Sequence, residues 1–181
     1  MDSLSPQGGR TGVRRHIAGA VLLALVPALA ACGSSGGTVK TSSILRADPA
    51  GRTVRLLLVA SATSADGGFN FDGYGNGAMR VRVPVGWRVT VTCKNAASDL
   101  SHSCAIVTDV PIVPTGAPLA FPGSSTPRPR SGTPPGATTV FSFLASRVGT
   151  YRIACLVSGH EADGMWDWFQ VTSGGVPSVR H

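Results

Sequence analysis

The chain has 181 residues, enough for one domain with a sizeable core plus tails. It holds 23 Gly and 13 Pro, and only 14% of its residues are charged, which excludes a long-helix or coiled-coil protein. The formal charge is +7, but Arg10, Arg14 and Arg15 lie in the first 31 residues, and beyond them thirteen basic and eight acidic residues remain. No basic run is interleaved with aromatics, so nucleic acid is not an expected partner.

Residues 1–31 read as an export signal. Arg10, Arg14 and Arg15 form a positive n-region, and Ile17 to Leu29 an apolar stretch too short to span a bilayer comfortably. Leu29-Ala30-Ala31-Cys32 resembles a bacterial lipobox, which implies lipid transfer to the Cys32 thiol and cleavage before it. Arg14-Arg15 loosely resembles a twin-arginine signal, and ordinary Sec export fits as well. Residues 32–51 open with Gly33-Ser34-Ser35-Gly36-Gly37 and are assigned as a flexible linker. The expected location is the outer face of the cell membrane, held by a lipid anchor.

Residues 52–173 read as the folded domain. Arg52 to Ala62 is a first strand, and Phe69 and Phe71 alternate on a short strand or strand edge. Met79, Val81 and Val83 alternate with Arg80 and Arg82, giving a half-buried strand. Trp87 to Asn95 alternates in the same way, with Val89, Val91 and Cys93 inward. His102 to Thr108 follows, with His102, Cys104 and Ile106 sharing a face. Val110 to Ala137 carries Pro111, Pro114, Pro118, Pro122, Pro127, Pro129, Pro134 and Pro135, the composition of a long loop insertion. Strands resume at Thr138–Ser146, Gly149–Cys155 and Trp166–Thr172, and residues 174–181 are assigned as an unstructured tail. About eight short strands without a convincing helix predict an all-β, two-sheet sandwich with Greek-key connections.

The chemistry concentrates between the last two strands. Cys155, His160 and Met165 are evenly spaced, with four residues in each interval, so one strand-to-strand loop can wrap them around a metal ion. His102, at the start of a strand, is the remaining candidate, since the only other histidine beyond the signal is His181. Two imidazoles, a thiolate and a thioether are the donor set of a mononuclear blue-copper site. The soft sulfurs favour Cu(I) and the imidazoles suit both oxidation states, whereas a thioether is a poor zinc ligand. Each residue alone reads more simply as core. The joint pattern on a strand-loop-strand frame does not.

Several segments then resemble sulfocyanin, a cupredoxin: Phe69-Asn70-Phe71-Asp72-Gly73, Pro84-Val85-Gly86-Trp87, Leu100-Ser101-His102, and the run from Ala154 through Ser158-Gly159-His160 to Gly164-Met165-Trp166. The resemblance covers roughly residues 53–172. It implies a cupredoxin sandwich, one type 1 copper held by His102, Cys155, His160 and Met165, and one-electron transfer in a membrane-linked respiratory chain. Expected partners are redox proteins such as a terminal oxidase or an upstream reductase. The sequence departs from the wider pattern at Ser103, where cupredoxins usually place Asn to brace the ligand loop. Cys93 and Cys104 are further thiols, either disulfide-bonded across neighbouring strands or free in the core.

Other copper and redox classes fit poorly. A dinuclear site needs a second Cys where Gly159 stands, and a multicopper oxidase needs His where Ala154 and Leu156 stand. No Cys-x-x-Cys-His haem motif and no readable Ser-His-acid set is present, so no catalysis is expected. The serious rival is a membrane-anchored copper-delivery protein using the same residue types. A closed Cys-His-Met loop favours electron transfer over delivery. The electron is expected to leave by the imidazole edge of His160, with His102 more covered and with Leu156, Val157 and parts of the long loop forming an apolar surround.

Overall fold

The computed structural model describes residues 39–40, 44–112 and 116–181. The expected signal segment, Cys32 and the first part of the linker lie outside the described residues. The first sheet contains β1 (Val39–Lys40), β2 (Leu45–Asp48), β3 (Thr53–Ala60), β5 (Arg88–Asn95) and β7 (Thr138–Leu144), in the order β1-β2-β3-β5-β7. The second contains β4 (Arg80–Pro84), β6 (Ala105–Thr108), β8 (Gly149–Ala154), β9 (Trp166–Thr172) and β10 (Ser178–Arg180), in the order β10-β4-β9-β8-β6. The chain leaves the first sheet after β3, forms β4 in the second, and returns to lay β5 parallel to β3. β4 likewise runs parallel to β9, while the other pairs are antiparallel.

Alternation along the strands fills the space between the sheets. Val54, Leu56, Leu58, Val89, Val91 and Phe143 from one sheet meet Val81, Val83, Ile153, Phe169 and Val171 from the other, all buried. Each such side chain contributes about 1.5–3 kcal/mol by leaving water. Cys93, on β5, and Cys104, just before β6, form a disulfide with a Cα–Cα separation of 5.9 Å. It joins the two sheets two residues from His102, and a bond of this kind contributes about 2–4 kcal/mol to stability.

Four expectations are corrected. The expected linker is shorter than residues 32–51, because Leu45 and Ala47 are buried on β2, which pairs with β3. Four alternating residues are too short a signal beside a Gly/Ser run. The tail is not loose either. Val179 pairs with Val81 and packs on the core, completing the edge of the second sheet as β10. The Phe69–Phe71 segment is not a strand: it turns after a 3-10 stretch at Ala65–Gly68 and touches the strand edge only through bridges of Phe71 to Ala60 and Tyr74. Asp66, Gly67, Gly68, Asp72 and Gly73 all take positive φ there, which breaks an extended run. Finally, β6 begins at Ala105 rather than His102, which is held instead by an isolated bridge to Thr133.

The long Pro-rich insertion is built into the fold. Phe121 stacks on Phe143 with centroids 5.3 Å apart and tilts against Tyr151 at 4.9 Å. The insertion also runs alongside β6 as an irregular edge. Ile106 donates to Ser124, Ala120 to Ile106, and Thr126 to Cys104. Ala105, Val107, Ala117, Ala154 and Leu156 form a second small apolar cluster beneath it, against which Trp166 packs. Proline suits this position because an irregular edge needs few ladder donors.

Candidate metal centre

The antiparallel pairing of β6 with β8 places Ala105 opposite Ala154. The chain on either side of that pair, His102–Cys104 and Cys155–Val157, is therefore adjacent at one end of the second sheet. His102 is fixed by its backbone: its N–H donates to Thr133 O at 3.2 Å and its C=O accepts from Thr133 N at 2.7 Å. Buried Asn95 reinforces this, its Nδ2 donating to Leu100 O at 2.7 Å and Thr133 O at 2.9 Å. Gly132 must be glycine here: its φ is +75°, and a Cβ would lie 2.9 Å from Ser101 Cβ and 3.0 Å from Val157 Cγ2.

The loop after β8 folds back on itself. His160 N donates to Val157 O, Met165 N to His160 O at 2.9 Å, and Cys155 N to Met165 O at 3.1 Å. These bonds draw Cys155, His160 and Met165 together before any side chain is considered. Next to His160, buried Glu161 accepts from Arg152 Nε at 2.9 Å, and Arg152 Nη1 also donates to Asp109 at 2.6 Å. This pair ties the ligand loop to β8, and removing one partner would strand a buried charge at a cost of about 3–5 kcal/mol.

Three donor atoms converge. His160 Nδ1 lies 3.2 Å from His102 Nδ1 and 3.4 Å from Cys155 Sγ, and His102 Nδ1 lies 4.0 Å from that sulfur. A point equidistant from all three is about 2.1 Å from each, the length of a metal–imidazole bond. All three residues are buried, and the side chain of Met165 is fully buried beside them in sequence and in the hydrogen-bonded turn. Phe69 covers the imidazoles edge-on, 4.9 Å from His160 and 6.3 Å from His102. His102 is completely covered, while His160 retains 8% exposure.

The sulfur is braced by Ser103. Its N–H donates to Cys155 Sγ at 3.3 Å, its hydroxyl lies 3.7 Å from the same atom, and that hydroxyl oxygen accepts from Leu156 N at 2.8 Å. Ser103 thus links the two ligand segments directly. Hydrogen bonds around a ligating sulfur are one of the means by which a protein tunes a copper potential.

Without metal the site is electrically quiet. Burial lowers the His102 pKa to about 4, with neighbouring His160 adding and Asp99 opposing. Burial also lowers that of His160, with Asp163 opposing. Burial pushes the Cys155 thiol up, against hydrogen bonds from Ser103 and Val157. Neutral imidazoles are ready to ligate, whereas the thiol proton must leave when a metal binds. Two Nδ1 atoms 3.2 Å apart beside a sulfur suit a soft-to-intermediate cation, and one type 1 copper fits this donor set.

Comparison with known proteins agrees with this geometry. The family model for the sulfocyanin (SoxE) domain matches residues 40–178. A sulfocyanin from Sulfolobus acidocaldarius is 26% identical over 123 residues, covering 64% of this chain and 61% of that protein, so the chain spans about three fifths of its relative's length. A crystal structure of variant rusticyanin superposes with a TM-score of 0.53 at 22% identity, covering 76% of this chain and 88% of that one. Reduced auracyanin from Roseiflexus castenholzii gives a TM-score of 0.48 at 21% identity, covering 65% and 96%. The fold is that of a cupredoxin, a two-sheet β-sandwich. Within that class the chain belongs to the sulfocyanin family.

Two carboxyl groups, that of buried Asp167 and that of half-buried Asp72, stand outside the expected ligand set. Asp167 Oδ1 accepts from Met79 N at 2.7 Å, and Asp72 Oδ1 from Val59 N at 3.3 Å. Burial raises Asp72 to about 6, and raises Asp167 to about 7, with the Met79 hydrogen bond opposing and Asp72 and Asp66 adding. The folded value of Asp167 lies above its ordinary 3.8, so its contribution to stability is complete below about pH 4 and is lost as pH rises through about 7. Asp167→Asn keeps the acceptor for Met79 and cannot ionise. In urea unfolding of the metal-free protein, this variant should gain on the parent between pH 5 and pH 8, with the difference levelling off above pH 8.

Proposed function

We propose that this protein is a lipid-anchored one-electron carrier of an extracytoplasmic redox chain, and not an enzyme. The observation that carries the reading is the buried triangle of His102 Nδ1, His160 Nδ1 and Cys155 Sγ. Copper bound there would supply a Cu(II)/Cu(I) couple. The residues around it do the rest. Ser103, Thr133, Asn95 and the His160–Met165 turn hold the donors in one arrangement without the metal, so little must move when the oxidation state changes. Met165, fully buried next to them, would add a weaker thioether donor and leave the strong bonding to the other three. Phe69 and the buried surround exclude water, so neither oxidation state is captured by solvent. A delivery role is less well served, because every donor is closed off rather than open to exchange.

The charge-transfer band between thiolate and Cu(II) tests the site. Cu(II)-loaded protein should be intensely coloured, and Cys155→Ser should lose the band while keeping the sandwich fold by circular dichroism. A band that persists in that variant would sink the assignment.

Location rests on the lipobox-like Leu29-Ala30-Ala31-Cys32. The native protein should partition with membranes and incorporate labelled fatty acid, and Cys32→Ala should abolish the labelling. Recovery of unlabelled, wholly soluble native protein would remove the anchor from the proposal.

Electron exit is assigned to His160, the ligand with the residual exposure. Ala162→Glu, on the exposed side of the same loop, should slow exchange with the partner oxidase or reductase severalfold and leave the potential unchanged in voltammetry. An unaltered rate, or a potential shift large enough to account for the slowing, would place the exit elsewhere.

A further inference from the structure

The outer face of the second sheet is divided in two. Over β6 and β8 it is covered by the Pro-rich insertion and the small cluster around Ala105, Val107 and Leu156. Over β9, β4 and β10 the outward residues Trp168, Gln170, Arg80, Arg82 and Ser178 are half-buried and Arg180 is exposed. Strand register sets what this half presents. Arg180 pairs with Arg80, Arg80 with Trp168, and Arg82 with Ser178 on one side and Gln170 on the other. The inward partners of these residues are Val81, Val83, Phe169 and Val171, all buried, so the arginines and the indole point outward.

The face is cationic and uncompensated. Arg80, Arg82 and Arg180 make no ion pair among the described residues, and the only salt-bridged arginine there is Arg152, on the neighbouring strand. No Asp or Glu occurs between Gly73 and Ser98, or after Asp167, whose own side chain is buried between the sheets. A shallow groove of about 280 Å³ is lined by Arg82 and Arg180 together with Thr172, Gly174, Gly175 and Ser178. Two guanidinium groups beside a Gly-Gly turn suit a carboxylate, since arginine binds planar anions through paired N–H groups.

The same face leads to the metal site. Trp166 is bonded to Met165 and pairs with Ala154, the residue before Cys155. Its indole meets that of Trp168 edge-on with centroids 5.0 Å apart, and the Arg80 guanidinium lies 5.4 Å from the Trp168 ring. Gly77 is required for this stack: at φ +78°, a Cβ would lie 2.7 Å from Trp168 Nε1 and 2.8 Å from Trp166 Cη2. Both indoles are half-buried and locked against each other, unlike aromatic side chains that project to insert into lipid.

We infer that the Arg80–Arg82–Arg180 face with Trp168 is a second docking surface, for the acidic face of a small redox protein, and that it is separate from the His160 end. Its use as an electron port rests on the copper-carrier reading, but docking itself does not. Charge complementarity steers such encounters and makes them salt-sensitive.

The probe is oxidised flavodoxin, a strongly acidic electron-transfer protein, titrated into the isotopically labelled Cu(I) form and, separately, into the metal-free chain. Amide shifts should concentrate at Arg80–Arg82, Trp168–Thr172 and Ser178–Arg180 in both forms and fade severalfold as salt is raised. Arg82→Glu with Arg180→Glu should abolish them at the same concentrations, while the blue absorption of the Cu(II) form is retained. If the double variant folds poorly, Arg82→Gln with Arg180→Gln should still weaken binding severalfold. Shifts confined to the His160 end, or shifts indifferent to these substitutions, would overturn the inference. So would arginine-dependent binding to phosphatidylglycerol vesicles without binding to flavodoxin, which would make this a membrane face. Failure to load copper would remove the carrier reading and leave the metal-free titration to decide docking.

Discussion

Everything at the metal centre depends on one junction, where Ser103 meets Cys155. The two ligand segments lie some fifty residues apart in sequence, and the β6–β8 ladder brings them side by side through the Ala105–Ala154 pair. Ser103 then closes the gap, donating its N–H to the sulfur and accepting Leu156 N at its hydroxyl. A shift of one residue in that ladder would turn every side chain to the opposite face and separate the imidazole of His102 from the thiol. The register is held by burial of Ile106 and Ile153 on the inner face and by the disulfide at Cys104. Core packing far from the metal therefore fixes distances of a few ångström at the metal.

For the proposed carrier role a rigid frame matters, because a single electron would have to enter and leave without rearrangement. The backbone groups of His102 are committed to Thr133, those of the ligand loop to one another, and Glu161 to Arg152. The buried ion pair adds little net stability by itself, but it leaves the loop one arrangement in which a buried charge is paired. The Pro-rich insertion belongs to the same frame. It supplies Thr133 to His102 and Phe121 to the core, which explains how so many residues without regular structure can persist in a compact domain.

The longer strands and the ligand loop were legible in the sequence for a physical reason. Trp87 to Asn95 and Trp166 to Thr172 are half-buried, and period-two alternation records that directly. Cys155, His160 and Met165 share one short loop, so their spacing survives folding. What was not legible depends on distant contacts. Leu45–Asp48 and Ser178–Arg180 are strands only because β3 and β4 offer them an edge. Asn95 reads as the polar end of a strand, yet it ties Leu100 to Thr133. Nothing in the local pattern of Arg152 or Glu161 announces their pairing, which comes from the ligand loop folding over β8.

The central claim is that copper takes one thiolate sulfur and two imidazole nitrogens in a frame that already exists without it. X-ray absorption at the copper edge, on oxidised and reduced protein, tests this most directly. The account predicts one short copper–sulfur distance and two imidazole nitrogens in both states, with only small changes in length on reduction. A coordination shell of oxygen and nitrogen alone, or the loss of an imidazole on reduction, would contradict it.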